Sequence, residues 1–153
     1  MRAVGAHVKI EDGRYLAGLA VIENGLIVAE VTFPAPADRD EAGQLHELYE
    51  WVAGIVAKHR PDEFALRSAE FQTVGLRTDL ARHAEGALLA GARHGGASSV
   101  SQWSRQKLIK PLGATGKKAE DVRDAVPAHL DRAPGPGVLT EAACAAVAAG
   151  AGA

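Results

Sequence analysis

Between Arg105 and Arg123 the chain carries Arg105, Lys107, Lys110, Lys117, Lys118 and Arg123 against only Glu120 and Asp121. A strip of that kind can track a phosphate backbone, and Gly116-Lys117-Lys118 could present amides and ammonium groups to phosphates. The plainer alternative is an ordinary solvated face. The loop lacks the full Walker pattern, so nucleotide binding is not expected. A second group is His7 with Glu70 and Glu141, which together offer an imidazole and two carboxylates to a metal. No second His or acid stands at a fixed ligand spacing, which favours a hydrogen-bonded strand histidine instead. Arg67 is a permanent cation. It could hold a phosphate directly, or pair with Glu70, Glu141 or another nearby acid as a structural salt bridge.

The whole chain sets few limits on this chemistry. Its 153 residues suit one domain with a full hydrophobic core, expected over 1–149 with a frayed tail at 150–153. A net charge of −2 gives no global attraction to nucleic acid, and 5% aromatics argue against a base-stacking platform. Cys144 is the only cysteine, which excludes an intrachain disulfide and a multi-thiolate metal site. No signal-peptide pattern or membrane-length apolar run is present, so a cytoplasmic location without membrane contact is the expectation. Heavy use of Ala and Gly, with Arg outnumbering Lys, suggests a GC-rich bacterial or phage genome.

The elements that must position these residues follow from periodicity. Residues 2–10 alternate apolar and polar or small, Glu11-Asp12-Gly13 is a turn, Tyr15 to Ile22 a second strand, Asn24-Gly25 a second turn and Leu26 to Phe33 a third strand. After a loop from Pro34 to Asp40, the spacing of Leu45, Leu48, Val52, Ile55 and Val56 predicts a helix over Glu41 to His59, stopped by Pro61. A short strand at Phe64 to Leu66 follows. Thr78 or Asp79 is a candidate cap for a second helix ending at Gly95-Gly96. On it Gly86, Ala87, Ala90 and Gly91 form a small-residue face for close approach to the sheet or to a second subunit. Trp51 and Trp103 read as core or rim residues. Ala97 to Trp103 is predicted as a fifth strand, Ser104 as the cap of a turn through Ile109, and Ala119 to Val126 as a short helix. Pro127 to Gly137 reads as a linker, and Thr140 as the cap of a helix over 141–149. The order predicts an α/β fold with a three-stranded antiparallel meander, two further strands and helices on both faces of a mixed sheet.

Several segments also resemble a known family. They are Val4-Gly5-Ala6-His7 with Gly18-Leu19-Ala20-Val21-Ile22, then Leu48 to Leu66, then Phe71, Gln72 and the helix from Ala84 to Gly95. The last group is Val100-Ser101-Gln102-Trp103-Ser104, Lys107, Pro111-Leu112-Gly113, Gly116-Lys117-Lys118 and Asp121-Val122. In this order they resemble the RuvC-type Holliday-junction resolvases, of ribonuclease H-like fold, from Ala3 to about Val147. The resemblance implies a five-stranded sheet, a homodimer built on the second helix, and four acidic side chains around a divalent metal. It puts those acids at the positions of His7, Arg67, Thr140 and Ala143, with Glu141 alongside. None of the four is acidic.

Cutting a phosphodiester with two metals requires hard oxygen ligands. A guanidinium donates no lone pair and repels a dication. The primary expectation is therefore a RuvC-like domain without nuclease activity and without a cofactor or metal, a pseudoenzyme serving as a nucleic-acid-binding or structural module. Its degenerate site is His7, Arg67, Glu70, Thr140 and Glu141. Its candidate contacts to branched or duplex DNA are Arg67, Arg105, Lys107, Lys110, Lys117 and Lys118. One alternative is an active endodeoxyribonuclease, Mg²⁺-dependent, with acids relocated to Glu11 or Asp12, Glu70, Asp79 and Glu141. The other is a protein-interaction subunit of a larger assembly.

Overall fold

The computed structural model describes residues 1–35, 40–70 and 76–151. Phe71, Gln72 and part of the 34–40 loop lie outside these. Strands β1 (Arg2–Glu11), β2 (Arg14–Glu23) and β3 (Leu26–Thr32) form the predicted meander. Both hairpins turn on two residues with positive φ, Asp12 (51°) with Gly13 (72°) and Asn24 (51°) with Gly25 (79°). That geometry matches the twist of the flanking strands and selects Asp-Gly and Asn-Gly.

Helix α1 (Glu41–His59) follows, capped by the Asp40 side chain on the amide of Gly43. Strand β4 is Glu63–Arg67, helix α2 Leu76–His94, strand β5 Val100–Trp103, helix α3 Arg105–Leu112 and helix α4 Ala119–Ala125. A 3-10 turn, Val126–His129, leads to helix α5 (Val138–Ala151). The sheet order is β3-β2-β1-β4-β5, antiparallel within the meander and parallel where β4 joins β1 and β5. The five-stranded mixed sheet is as the sequence predicts.

Several boundaries differ from expectation. Thr78 and Asp79 lie inside α2 rather than before it. Strand β5 begins three residues later than predicted, and α3 runs three residues beyond Ile109. Thr140 is the third residue of α5, and its hydroxyl donates to the Gly135 carbonyl (2.6 Å), so it closes the preceding loop instead of capping the helix. Residues 127–129 of the predicted linker belong to the 3-10 turn. Helix α5 continues through Gly150 and Ala151, two residues of the expected frayed tail.

The pleat divides the core into two layers. Val4, Ala6, Val8, Leu19, Val21, Phe64 and Leu66 face one side and pack with Leu48, Val52, Val56, Ala84 and Leu88 of α1 and α2. Ala3, Ala20 and Ile22 face the other, under α5 and the inward residues Leu108, Leu112 and Val122 of α3 and α4. Helix α5 lies almost on the sheet: a Cβ added to Gly5 would stand 1.8 Å from the Ala142 carbonyl oxygen. Ala142, Ala143, Ala145 and Ala146 are all buried there. The small residues of α2 divide in the same way. Gly91 faces α1, where an added Cβ would meet the Tyr49 carbonyl at 2.5 Å, whereas Gly86 faces open space.

Candidate functional site

His7 and Arg67 lie on the α5 side of neighbouring parallel strands, one step beyond the Ala6–Leu66 pair. Strand register alone brings them together. His7 Nδ1 is 2.7 Å from the Arg67 carbonyl oxygen. A carbonyl can only accept, so Nδ1 carries the proton. Burial lowers the His7 pKa below 6.5; the Arg67 guanidinium adds to that, while the Arg67 carbonyl, Glu141 and Glu85 pull it upward. The hydrogen-bonded strand histidine is the reading this geometry supports.

Arg67 ends β4 and is only 5% exposed. Its Nε donates to Glu141 Oε2 at 3.0 Å, and one terminal nitrogen donates to the Ser68 carbonyl and lies 3.8 Å from Glu70 Oε1. Each carboxylate also reaches a second guanidinium. Glu141 Oε1 is 3.4 Å from Arg123 of α4. Glu70 accepts the Arg105 amide at 2.8 Å and stands 3.5 Å from the Arg105 Nε, at the N-terminus of α3 that the Ser104 hydroxyl caps. The network therefore reads Arg123–Glu141–Arg67–Glu70–Arg105. It satisfies the requirement that a buried charge be paired and hydrogen-bonded.

Two residues at or beside this network escaped the sequence reading of the site. Glu85, buried on α2, accepts the Ala69 amide at 2.7 Å and pairs with Arg82 at 2.6 Å, so it pins the segment after β4. Its only sequence signal is an acid on the inward helical face beside Ala84 and Leu88. Arg123 belongs to the basic strip but has no feature that sets it apart from its neighbours. Next to the network, burial and Glu141 push the Cys144 thiol up to about 12.

The remaining predicted residues are elsewhere. Ala143 is fully buried between α5 and the sheet. Lys107, Lys110, Lys117 and Lys118 are exposed and have no ion-pair partner among the described residues. One amide of the Gly116–Lys118 loop is engaged within the chain. The Asp121 carboxylate accepts the Lys118 amide at 3.0 Å and packs against Gly116. The Lys118 amide is therefore not free to meet a phosphate, while the Lys117 and Lys118 side chains remain exposed. Glu11 ends β1, about 13 Å along the strand from His7 at ~3.3 Å per residue, and Asp12 follows it in the turn.

These residues do not fit a divalent metal. Among the described residues, no three of His, Cys, Asp and Glu are grouped so as to hold an ion. Glu141 and Glu70 are both engaged by guanidinium groups, and Arg67 stands between them. A dication beside Arg67 would meet a fixed like charge in a partly buried setting. The relocated set of Glu11 or Asp12, Glu70, Asp79 and Glu141 forms no ligand cluster.

The fold has close likenesses among solved structures. Thermus thermophilus RuvC superposes with a TM-score of 0.81 at 18% identity, over 99% of this chain and 94% of that one. The same organism's RuvC in complex with a Holliday junction substrate gives 0.78 at 18% identity, over 99% and 93%. The yeast mitochondrial Holliday junction resolvase gives 0.59 at 11% identity, over 98% and 76%. Searches against family models and curated proteins gave no match. At these identities the likeness establishes the ribonuclease H-like, RuvC-type fold.

Proposed function

We propose that this chain is a divergent RuvC-like domain that binds nucleic acid without cutting it. The observation that carries the reading is the buried Arg67 guanidinium held between Glu141 and Glu70 at the end of β4. Metal-assisted phosphodiester cleavage would need hard oxygen ligands there. This arrangement supplies cations instead, and cations bind phosphates without a metal. The solved complex of T. thermophilus RuvC with a Holliday junction supports DNA as the partner class. The exposed Lys107, Lys110, Lys117 and Lys118 supply further positive charge on α3 and the following loop.

The test is fluorescence anisotropy with a four-way DNA junction and a matched duplex, in EDTA and over a range of salt. Binding should persist in EDTA and weaken linearly in log salt, since each neutralised phosphate contributes a slope of about −0.9. With Mg²⁺ or Mn²⁺ and excess protein, the junction should remain intact. Metal-dependent cleavage abolished by Glu70→Gln or Glu141→Gln would overturn the loss of activity. Absence of any salt-sensitive binding would replace DNA binding with the protein-subunit reading.

A further inference from the structure

We propose that the Glu70 carboxylate is an internal competitor for a nucleic-acid phosphate: it occupies the donors of Arg105 that the phosphate takes on binding. The proposal rests on the nucleic-acid reading above and adds how that contact is regulated. Three donors from two elements converge on this one side chain. Glu70 Oε1 accepts the Arg105 amide at 2.8 Å and lies 3.8 Å from a terminal nitrogen of Arg67. Glu70 Oε2 lies 3.5 Å from Arg105 Nε. Because both arginines reach the same carboxylate, one small anion in its place meets both. A phosphodiester carries the same single negative charge and, like a carboxylate, offers two oxygens to charged donors.

Glu70 is the loose end of the network. Arg67 does not depend on it. Its Nε donates to Glu141 at 3.0 Å, a terminal nitrogen donates to the Ser68 carbonyl, and its side chain is 6% exposed. The side chains of Glu70 and Arg105 are 39% and 41% exposed. Exposed ion pairs contribute little, so exchanging this carboxylate for another anion costs little while the inner pair stays in place. The backbone leading to Glu70 is held. The Ser68 amide donates to the Trp103 carbonyl at 3.0 Å, and the Ala69 amide to buried Glu85 at 2.7 Å. Only the Glu70 side chain has to turn.

Charge favours the exchange. Arg67, Arg105 and Arg123 face Glu70 and Glu141, so the group already carries one positive charge with Glu70 in place. Once Glu70 turns away, Glu141 alone opposes the three guanidiniums. The amides at the start of α3 are shared between two side chains. The Ser104 hydroxyl accepts the Lys107 amide at 3.3 Å, and Glu70 takes the Arg105 amide. Exposed Lys107 and Lys110 lie further along the same helix and add to the attraction for a phosphate backbone. Glu70 therefore satisfies these donors while no nucleic acid is bound, and raises the concentration at which a phosphate takes them.

The experiment follows the Arg105 amide by ¹⁵N NMR in the full chain, titrated with inorganic phosphate and, separately, with sodium chloride at matched ionic strength. Wild type is compared with Glu70→Ala and Glu120→Ala. Glu120, exposed at the start of α4, removes the same charge from the basic segment and pairs with neither Arg67 nor Arg105 among the described residues. The amide should shift saturably with phosphate and not with chloride. Its phosphate midpoint should fall by roughly two- to fivefold in Glu70→Ala, the bias of an exposed ion pair, and stay unchanged in Glu120→Ala. Shifts equal to those in chloride, or a midpoint that moves equally in both variants or in neither, overturn the competitor. The same three chains are then tested on the four-way junction, where Glu70→Ala should bind more tightly than Glu120→Ala. Equal junction binding overturns the competitor and leaves the DNA-binding reading intact. A lower phosphate midpoint in Glu70→Ala without junction binding by any chain supports the competitor and removes the DNA reading. Glu70→Gln keeps an acceptor for the Arg105 amide but loses the charge. Its midpoint should lie between those of wild type and Glu70→Ala, and it carries the test if the alanine variant does not fold.

Discussion

Replacing Glu141 by alanine should destabilise this protein far more than its position near a helix start suggests. The change leaves Arg67 with the Ser68 carbonyl and a carboxylate 3.8 Å away. Removing one partner of a buried pair costs about 3–5 kcal/mol, because the other charge remains desolvated. The partners that remain place Glu141→Ala near the lower end, about 3 kcal/mol. For a chain of this size that corresponds to a fall in Tm of roughly 6–12 °C, at about 2–4 °C per kcal/mol. Glu23→Ala is the control. The Arg2–Glu23 pair is equally short at 2.9 Å, but its side chains are 33% and 40% exposed. An exposed pair contributes about 0–1 kcal/mol, so burial and not distance should separate the two variants. The double change Arg67→Met/Glu141→Leu should recover most of the loss, since no buried charge remains. Urea and thermal melts measure all three. If Glu141→Ala falls within 1 kcal/mol of the Glu23→Ala control by the exposed-pair range of about 0–1, the reasoning about a buried network is wrong.

Three further outcomes follow from the packing and titration of the fold. Gly5→Ala should cost about 3 kcal/mol or more by overpacking against the Ala142 backbone, whereas Gly86→Ala, in open space within α2, should stabilise by about 0.5–1 kcal/mol; denaturant midpoints distinguish them. Cys144, fully buried with its thiol pushed up to about 12, should resist iodoacetamide at mildly alkaline pH until the protein is unfolded, as mass spectrometry would show. Burial lowers the folded-state pKa of His7 below 6.5, so the unfolded chain binds the proton first as pH falls. Its contribution to stability is present above 6.5 and is lost below it. His7→Gln should therefore flatten the acid limb of stability against pH, by at most about 1.4 kcal/mol per pH unit.

The parts of this fold that the sequence makes legible are those set by local rules. Asp12-Gly13 and Asn24-Gly25 dictate their hairpins through backbone conformation. The period of Leu48, Val52 and Val56 fixes α1 to its observed ends. What is not legible depends on partners distant in sequence. Helix α5 reads as a weak alanine run because its fit to the sheet depends on Gly5, more than 130 residues earlier. Thr140 has the chemistry of a cap, but a loop carbonyl takes its hydroxyl. The sequence places His7 and Arg67 together only through the RuvC-like resemblance, and the structure does so through strand register. Glu85 and Arg123 were missed because an inward acid and one arginine among several acquire meaning only when the Ala69 amide and Glu141 are beside them.

The most direct measurement of the central claim is a Mn²⁺ titration followed by NMR line widths. A guanidinium-centred site predicts no selective broadening of the amides of His7, Arg67, Glu70 and Glu141 at Mn²⁺ concentrations that saturate metal-dependent nucleases. Selective, saturable broadening of those four, reversed by excess Mg²⁺, would show a divalent ion bound where Arg67 stands and would contradict the account.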